Sequence, residues 1–184
     1  MDNTTPQLVL VLGGCRSGKS RFAQALAERL GKRKTFVATA EPFDDEMRER
    51  IARHRAARGP EWHAVEAPVA LAGAIRDETA KADVVLVDCL TVWLGNLLCP
   101  EHQPPRWRDE AIPSLLDQLR RRRGHVVVVS NEVGLGIVPD NALARRFRDE
   151  QGRLNQQVAA IADCVVFVAA GLPLVLKGVL PQGK

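Results

Sequence analysis

Residues 8–20 read LVLVLGGCRSGKS. From Leu8 to Leu12 the chain is apolar without a break, the pattern of a short strand buried on both faces. A helical pattern follows over residues 21–30 and closes at Gly31. Between them, residues 13–20 (GGCRSGKS) fit G-x-x-x-x-G-K-[ST]. Gly13, Gly14 and Gly18 let the backbone wrap closely around an anion, with Cys15, Arg16 and Ser17 filling the turn between them. Successive N–H groups and the helix N-terminus then face phosphate oxygens. Lys19 is placed to reach the β- and γ-phosphates, and Ser20 to ligate Mg²⁺. A chance glycine-rich turn would also join a strand to a helix, but it has no need of the Lys-Ser pair at its end.

Outward from this loop, strands and helices alternate. Residues 35–39, 61–66, 82–89 (ADVVLVDC), 125–130 (HVVVVS) and 164–171 (CVVFVAAG) read as strands. Residues 44–58, 68–80, 90–98, 107–123 and 141–162 read as helices, with Pro68 in a first turn and a bend expected at Pro113. Residues 172–177 read as an edge strand, because Pro173 has no N–H for a central ladder. The pattern predicts an α/β, P-loop NTPase-like fold: a mostly parallel sheet with helices on both faces. There is no internal repeat or low-complexity linker, so residues 1–184 are expected to form a single domain, with 1–6 a disordered tail. Residues 100–105 (PEHQPP) read as a loop.

A magnesium nucleotide needs a carboxylate at the end of a neighbouring strand. Asp88 closes VVLVD and fills that place; the competing reading is an aspartate that caps the next helix. These parts are shared by small-molecule kinases, GTPases and ATPase modules, so they do not say how the phosphate is used.

The composition narrows the classes. The formal net charge of +4 suits anionic small ligands and is too weak to argue for nucleic acid. The arginine run 120–123 ends a helix, where cations suit the dipole. No apolar run is long enough to cross a membrane, and residues 1–7 are polar, which together predict a cytoplasmic protein. Cys15, Cys89, Cys99 and Cys164 form no C-x-x-C pair, which argues against a zinc cluster and suits a reducing compartment.

The second clue is FDDEMRERIARHRAAR, residues 43–58. On a helix Phe43, Met47 and Ile51 share one face, and His54 falls beside that stripe. Arg53, Arg55 and Arg58 surround it with positive charge. Cations favour the neutral imidazole, which is the nucleophilic form. Read alone, His54 is as well explained as a structural side chain, and the arginines as a solvated face.

Taken with VVVVSNEVGLGIVP (126–139) and ARRFRDEQGRLNQQVAAIAD (144–163), these segments carry a resemblance that spans residues 8–177. The chain resembles the bifunctional adenosylcobinamide kinase / adenosylcobinamide-phosphate guanylyltransferases of cobalamin biosynthesis. The phosphate loop alone is generic; DDEM-x2-RI-x2-HR and NEVG-x-GIVP-x-N are specific. The resemblance implies two reactions. ATP or GTP phosphorylates adenosylcobinamide, and GTP then gives GMP to a histidine, which passes it to adenosylcobinamide-phosphate. It implies that His54 is the guanylylated residue. It also implies nucleotide contacts at residues 13–20, at Ala38, Thr39 and Ala40, at Arg55, Ala56, Ala57 and Arg58, and at Glu66 and Asp88. Glu66 could accept the N1–H and N2–H edge of guanine, or be an exposed strand-end acid. It implies a homotrimer with sites near subunit interfaces.

Other residues stay open. Asn131 and Glu132 follow a buried strand, where open α/β sheets place ligand groups. Arg148, Arg153 and Asn155 are as readily a polar helix face. Trp93 and Trp107 read as core or subunit contacts. Two further readings compete with the bifunctional enzyme: a guanylyltransferase without kinase activity, and a non-catalytic nucleotide-binding regulatory module.

Overall fold

The computed structural model describes residues 5–41, 45, 48–49, 59–99 and 106–182. The helix expected over 44–58, with His54 and residues 55–58, and the loop at 100–105 lie outside this set, apart from helical backbone at Asp45, Arg48 and Glu49.

The strands are β1 (Leu8–Gly13), β2 (Lys34–Ala38), β3 (Trp62–Glu66), β4 (Val84–Asp88), β5 (His125–Asn131), β6 (Cys164–Ala169) and β7 (Leu172–Lys177). The helices among the described residues are α1 (Lys19–Leu30), α2 (Leu71–Thr79), α3 (Leu90–Leu98), α4 (Trp107–Arg120) and α5 (Ala142–Ile161). One sheet orders the strands β3-β2-β4-β5-β1-β6-β7. All pairs are parallel except β6–β7. The continuous apolar runs are explained by this: β1 and the core of β5 are buried on both faces. Pro173 sits, as its missing N–H requires, on the antiparallel edge strand.

Strand alternation sends side chains to two cores. Leu8, Leu10, Val85, Val87, Val126 and Val128 pack with α2, α3, α4 and α5, around the buried Trp93. Val9, Val11, Val84, Leu86, Val127 and Val129 pack beneath α1. Among the described residues the phosphate-loop helix therefore has one face of the sheet, and the other helices cover the opposite face. Trp93 is core, and its indole N–H donates to the Val69 carbonyl at 2.9 Å.

Several sequence boundaries shift, two of them at helices that carry a proline. The helix expected over 68–80 starts at Leu71, so Pro68 precedes it, and the Pro68 carbonyl instead accepts from Asn96 Nδ2 at 3.0 Å. The helix expected over 107–123 ends at Arg120, and Pro113 lies inside it.

The turn from α1 to β2 is held by Asp83. Its carboxylate accepts the Lys32 and Arg33 backbone N–H groups and the Arg33 guanidinium. The Arg33 backbone N–H, then its side chain, hold the Asp83 carboxyl below its ordinary 3.8. A depressed carboxylate stabilises the fold above its unfolded pKa, and that contribution is lost as pH falls through the folded value. Asp83→Asn is therefore expected to lower the melting temperature at pH 7, with the gap to wild type closing as the pH is taken below 3.8. Thermal unfolding across that pH range checks it.

Candidate active site

The carboxyl ends of β3, β2, β4, β5 and β1 form one edge. The register sets Glu66 beside Ala38, Ala38 beside Asp88, and Asn131 beside Gly13. By alternation Glu66, Ala38, Asp88 and Gly13 all fall on the α1 face. Residues called for nucleotide contact from four separate segments thus meet along one edge, at the place where open α/β sheets bind ligands.

The loop between β1 and α1 has the shape its glycines predict. Gly18 has φ +95° and Arg16 φ +56°. A Cβ on Gly13 would come within 2.5 Å of both Ser17 Oγ and the Val168 carbonyl. Gly18 precedes α1 without any side-chain cap, and no acidic residue lies in the first turn, so the helix N-terminus is left for an anion. Lys19 is buried, and its Nζ donates to the Gly14 carbonyl at 3.1 Å, folding the cation back over the loop. Cys15 is exposed.

Asp88 is half-buried at the end of β4. Burial pushes the thiol of its neighbour Cys89 up to about 11, and the Asp88 charge adds to the rise while Lys19 opposes it. Both charges therefore act at one point. Ser20 opens α1, so a hydroxyl and a carboxylate are offered from two elements. Hard oxygen donors of that number fit Mg²⁺, which takes few protein ligands and completes its shell with phosphate and water.

Thr39 is fully buried. Its Oγ1 accepts the Cys89 N–H at 2.8 Å and donates to the Cys89 carbonyl at 2.8 Å. The Thr39 carbonyl accepts from Asn96 Nδ2 at 2.8 Å. What Thr39 does in the structure is fix the turn after Asp88, a role its sequence position does not disclose. Thr39→Val keeps the shape and leaves the Cys89 amide without its partner. We expect a loss of about 2–4 kcal/mol of stability, from two buried hydrogen bonds, with weaker magnesium-nucleotide affinity. Urea unfolding and titration calorimetry measure the two effects.

Sequence reasoning missed two supports. The β6–β7 turn at Ala170 and Gly171, both with positive φ, touches the phosphate loop: Gly171 N–H donates to the Ser17 carbonyl at 2.8 Å. The second is a buried polar cluster under β5. Gln151 and Asn155 of α5 are buried against Ser130, so this stretch is more than a solvated helix face. The signal available was Ser130 itself, a hydroxyl ending an all-valine run. Arg148 donates to the Gly134 carbonyl at 2.9 Å and ties the 132–141 loop to α5. Arg153 is paired with Glu150 at 2.7 Å.

Fold and site together define a P-loop nucleotide-binding protein. The family of cobinamide kinase / cobinamide phosphate guanyltransferase matches residues 9–176, and the chain belongs to that family of bifunctional enzymes. It is 47% identical to the bifunctional adenosylcobalamin biosynthesis protein CobP of Pseudomonas aeruginosa, over 92% of this chain and 96% of the relative. It is 40% identical to the corresponding CobU of Salmonella typhimurium, over 92% and 99%. Among solved structures, a KaiC-like protein of Pyrococcus horikoshii aligns with a TM-score of 0.54 over 97% of this chain and 82% of its own, at 16% identity, a likeness of fold alone.

Proposed function

We propose that this chain phosphorylates adenosylcobinamide with ATP or GTP and then guanylylates the product through His54. The observation that carries the reading is the single edge on which Gly13, Ala38, Glu66 and Asp88 meet, joined to membership of the family. In the first reaction the substrate hydroxyl oxygen bonds to the γ-phosphorus and the bond to the nucleoside diphosphate breaks. In the second, the His54 imidazole bonds to the α-phosphorus of GTP and pyrophosphate leaves. A phosphate oxygen of adenosylcobinamide-phosphate then takes the GMP, and the P–N bond breaks. Storing GMP on a histidine splits one difficult transfer into two easier ones.

Within this reading the loop 13–20 holds the triphosphate, Glu66 reads the guanine edge, and Arg55, Ala56, Ala57 and Arg58 complete the nucleotide site beside His54. Ser20 and Asp88 hold Mg²⁺, which when bound offsets the charge developing on the phosphates. Among the described residues no helix is long and apolar enough to cross a membrane. All four cysteines are free, in keeping with action in the cytoplasm. A homotrimer is the assembly we propose. Leu135 and Ile137 are 83% and 98% exposed, and β7 presents Leu172, Leu174 and Leu176, apolar surface that a second copy of the chain would cover.

The test is turnover of cobinamide by the purified chain with Mg²⁺ and GTP, followed by mass spectrometry. Successive gain of one phosphate and then of GMP supports the proposal. Gain of GMP only on supplied cobinamide phosphate would reduce it to a guanylyltransferase, and no product at all would leave the regulatory reading. Sedimentation measures the trimer.

A further inference from the structure

The polar cluster under β5 has no stability rationale of its own. Burying a serine, a glutamine, an asparagine and a threonine between sheet and helices costs free energy that apolar residues of like shape would not. Ser130 Oγ donates to Asn155 Oδ1 at 2.7 Å and accepts from Gln151 Nε2 at 2.9 Å. What the cluster holds is the next residue. The Asn131 N–H donates to Thr91 Oγ1 at 2.7 Å, and the Asn131 carbonyl accepts from Asn155 Nδ2 at 3.0 Å. Both main-chain groups of Asn131 are thus satisfied by side chains, from α3 and from α5.

The side chain of Asn131 is left unused. Ser130 points to the α3 and α5 face, so alternation turns Asn131 to the α1 face. There it lies beside Gly13 on one side, on the strand that separates β1 from Asp88's strand β4. Its carboxamide makes no hydrogen bond among the described residues, and Oδ1 is buried without a donor. A partnerless amide between the phosphate loop and the metal-side carboxylate sits where a γ-phosphate would lie against Lys19.

We infer that Asn131 contacts the γ-phosphoryl group during the kinase reaction, its Nδ2 donating to a phosphoryl oxygen, and that Thr91 and Asn155 are positioning residues that aim it. Asn131 makes and breaks no covalent bond. The inference rests on the kinase reading given above.

The experiment measures cobinamide phosphorylation by wild type, Asn131→Ala, Thr91→Val, Thr91→Ser and the Asn131→Ala/Thr91→Val double variant. Asn131→Ala is expected to lower kcat about 100-fold with KM for the triphosphate within about threefold, as for a donor used mainly in the transition state. Thr91→Val is expected to lose about 10-fold, Thr91→Ser to recover it, and the double variant to be no slower than Asn131→Ala alone. Residues that act through one another fail to add, whereas a merely structural defect multiplies on either background. Where Thr91→Val does not fold, Thr91→Ala removes the acceptor of the Asn131 N–H and repeats the comparison. Asn131→Ala with wild-type kcat overturns the contact, and multiplicative losses overturn the positioning. A wild type that leaves cobinamide unphosphorylated overturns the kinase reading itself, and this inference with it.

Discussion

His54→Ala is expected to abolish the covalent adduct formed with GTP labelled at the α-phosphate, and with it guanylyl transfer, by at least about 10³-fold. Phosphorylation of cobinamide is expected to survive the same change. The asymmetry follows from what each reaction asks of the chain. Phosphoryl transfer from a P-loop nucleotide depends on positioning and on charge, which the proposed function assigns to the loop, Lys19 and the metal-side groups. Storage of GMP needs a nucleophile that can form and later release a P–N bond, and alanine has none. The adduct should be labile in acid and stable in base, as a phosphoramidate is, and absent from the variant. Labelled protein from His54→Ala would overturn the assignment. Loss of both activities together would mean that His54 shapes the nucleotide site rather than serving as its nucleophile.

Much of this architecture is legible in the sequence because the physics is local. Five apolar residues before GGCRSGKS leave little choice but a buried strand, and Lys19 with Ser20 leaves little choice of ligand. Pro173 marks the edge strand for a reason that any sheet would impose. The face of the sheet on which each strand-end residue lies follows from counting by two from buried valines. The supports were not legible, because they join residues far apart in the chain. Thr39 meets Cys89, Thr91 meets Asn131, and Ser17 meets Gly171, none of which has a periodicity to betray it. Asn155 shows the difficulty most plainly. In RLNQQ it reads as one polar residue among several, yet it is buried while Gln156 and Gln157 are exposed. Only the packing of α5 on β5 separates them.

Lys19→Ala carries the second large effect. The expected result is loss of cobinamide phosphorylation by about 10²–10³-fold, the range for removing one preorganised donor at a site of developing charge. In the structure Lys19 is buried and its Nζ is held by the Gly14 carbonyl, so the cation is already desolvated and aimed across the loop. A triphosphate seated on residues 13–20 would replace that neutral carbonyl with anionic oxygens, and the interaction would strengthen as charge builds on the leaving diphosphate. Lys19→Arg is not expected to rescue. The planar guanidinium is larger than a compact ammonium and would have to be buried where Lys19 now is. The GTP adduct on His54 reports on a separate question in the same variant. If one nucleotide site serves both reactions, Lys19→Ala should slow adduct formation as well, since the β- and γ-phosphates leave together as pyrophosphate. An adduct formed at the wild-type rate, with phosphorylation lost, would show that the phosphate loop works for the kinase alone and that GTP reaches His54 by another seat. A kcat for phosphorylation retained within about tenfold would instead remove Lys19 from the chemistry, because an interaction equal in ground and transition states shows in KM and leaves kcat in place.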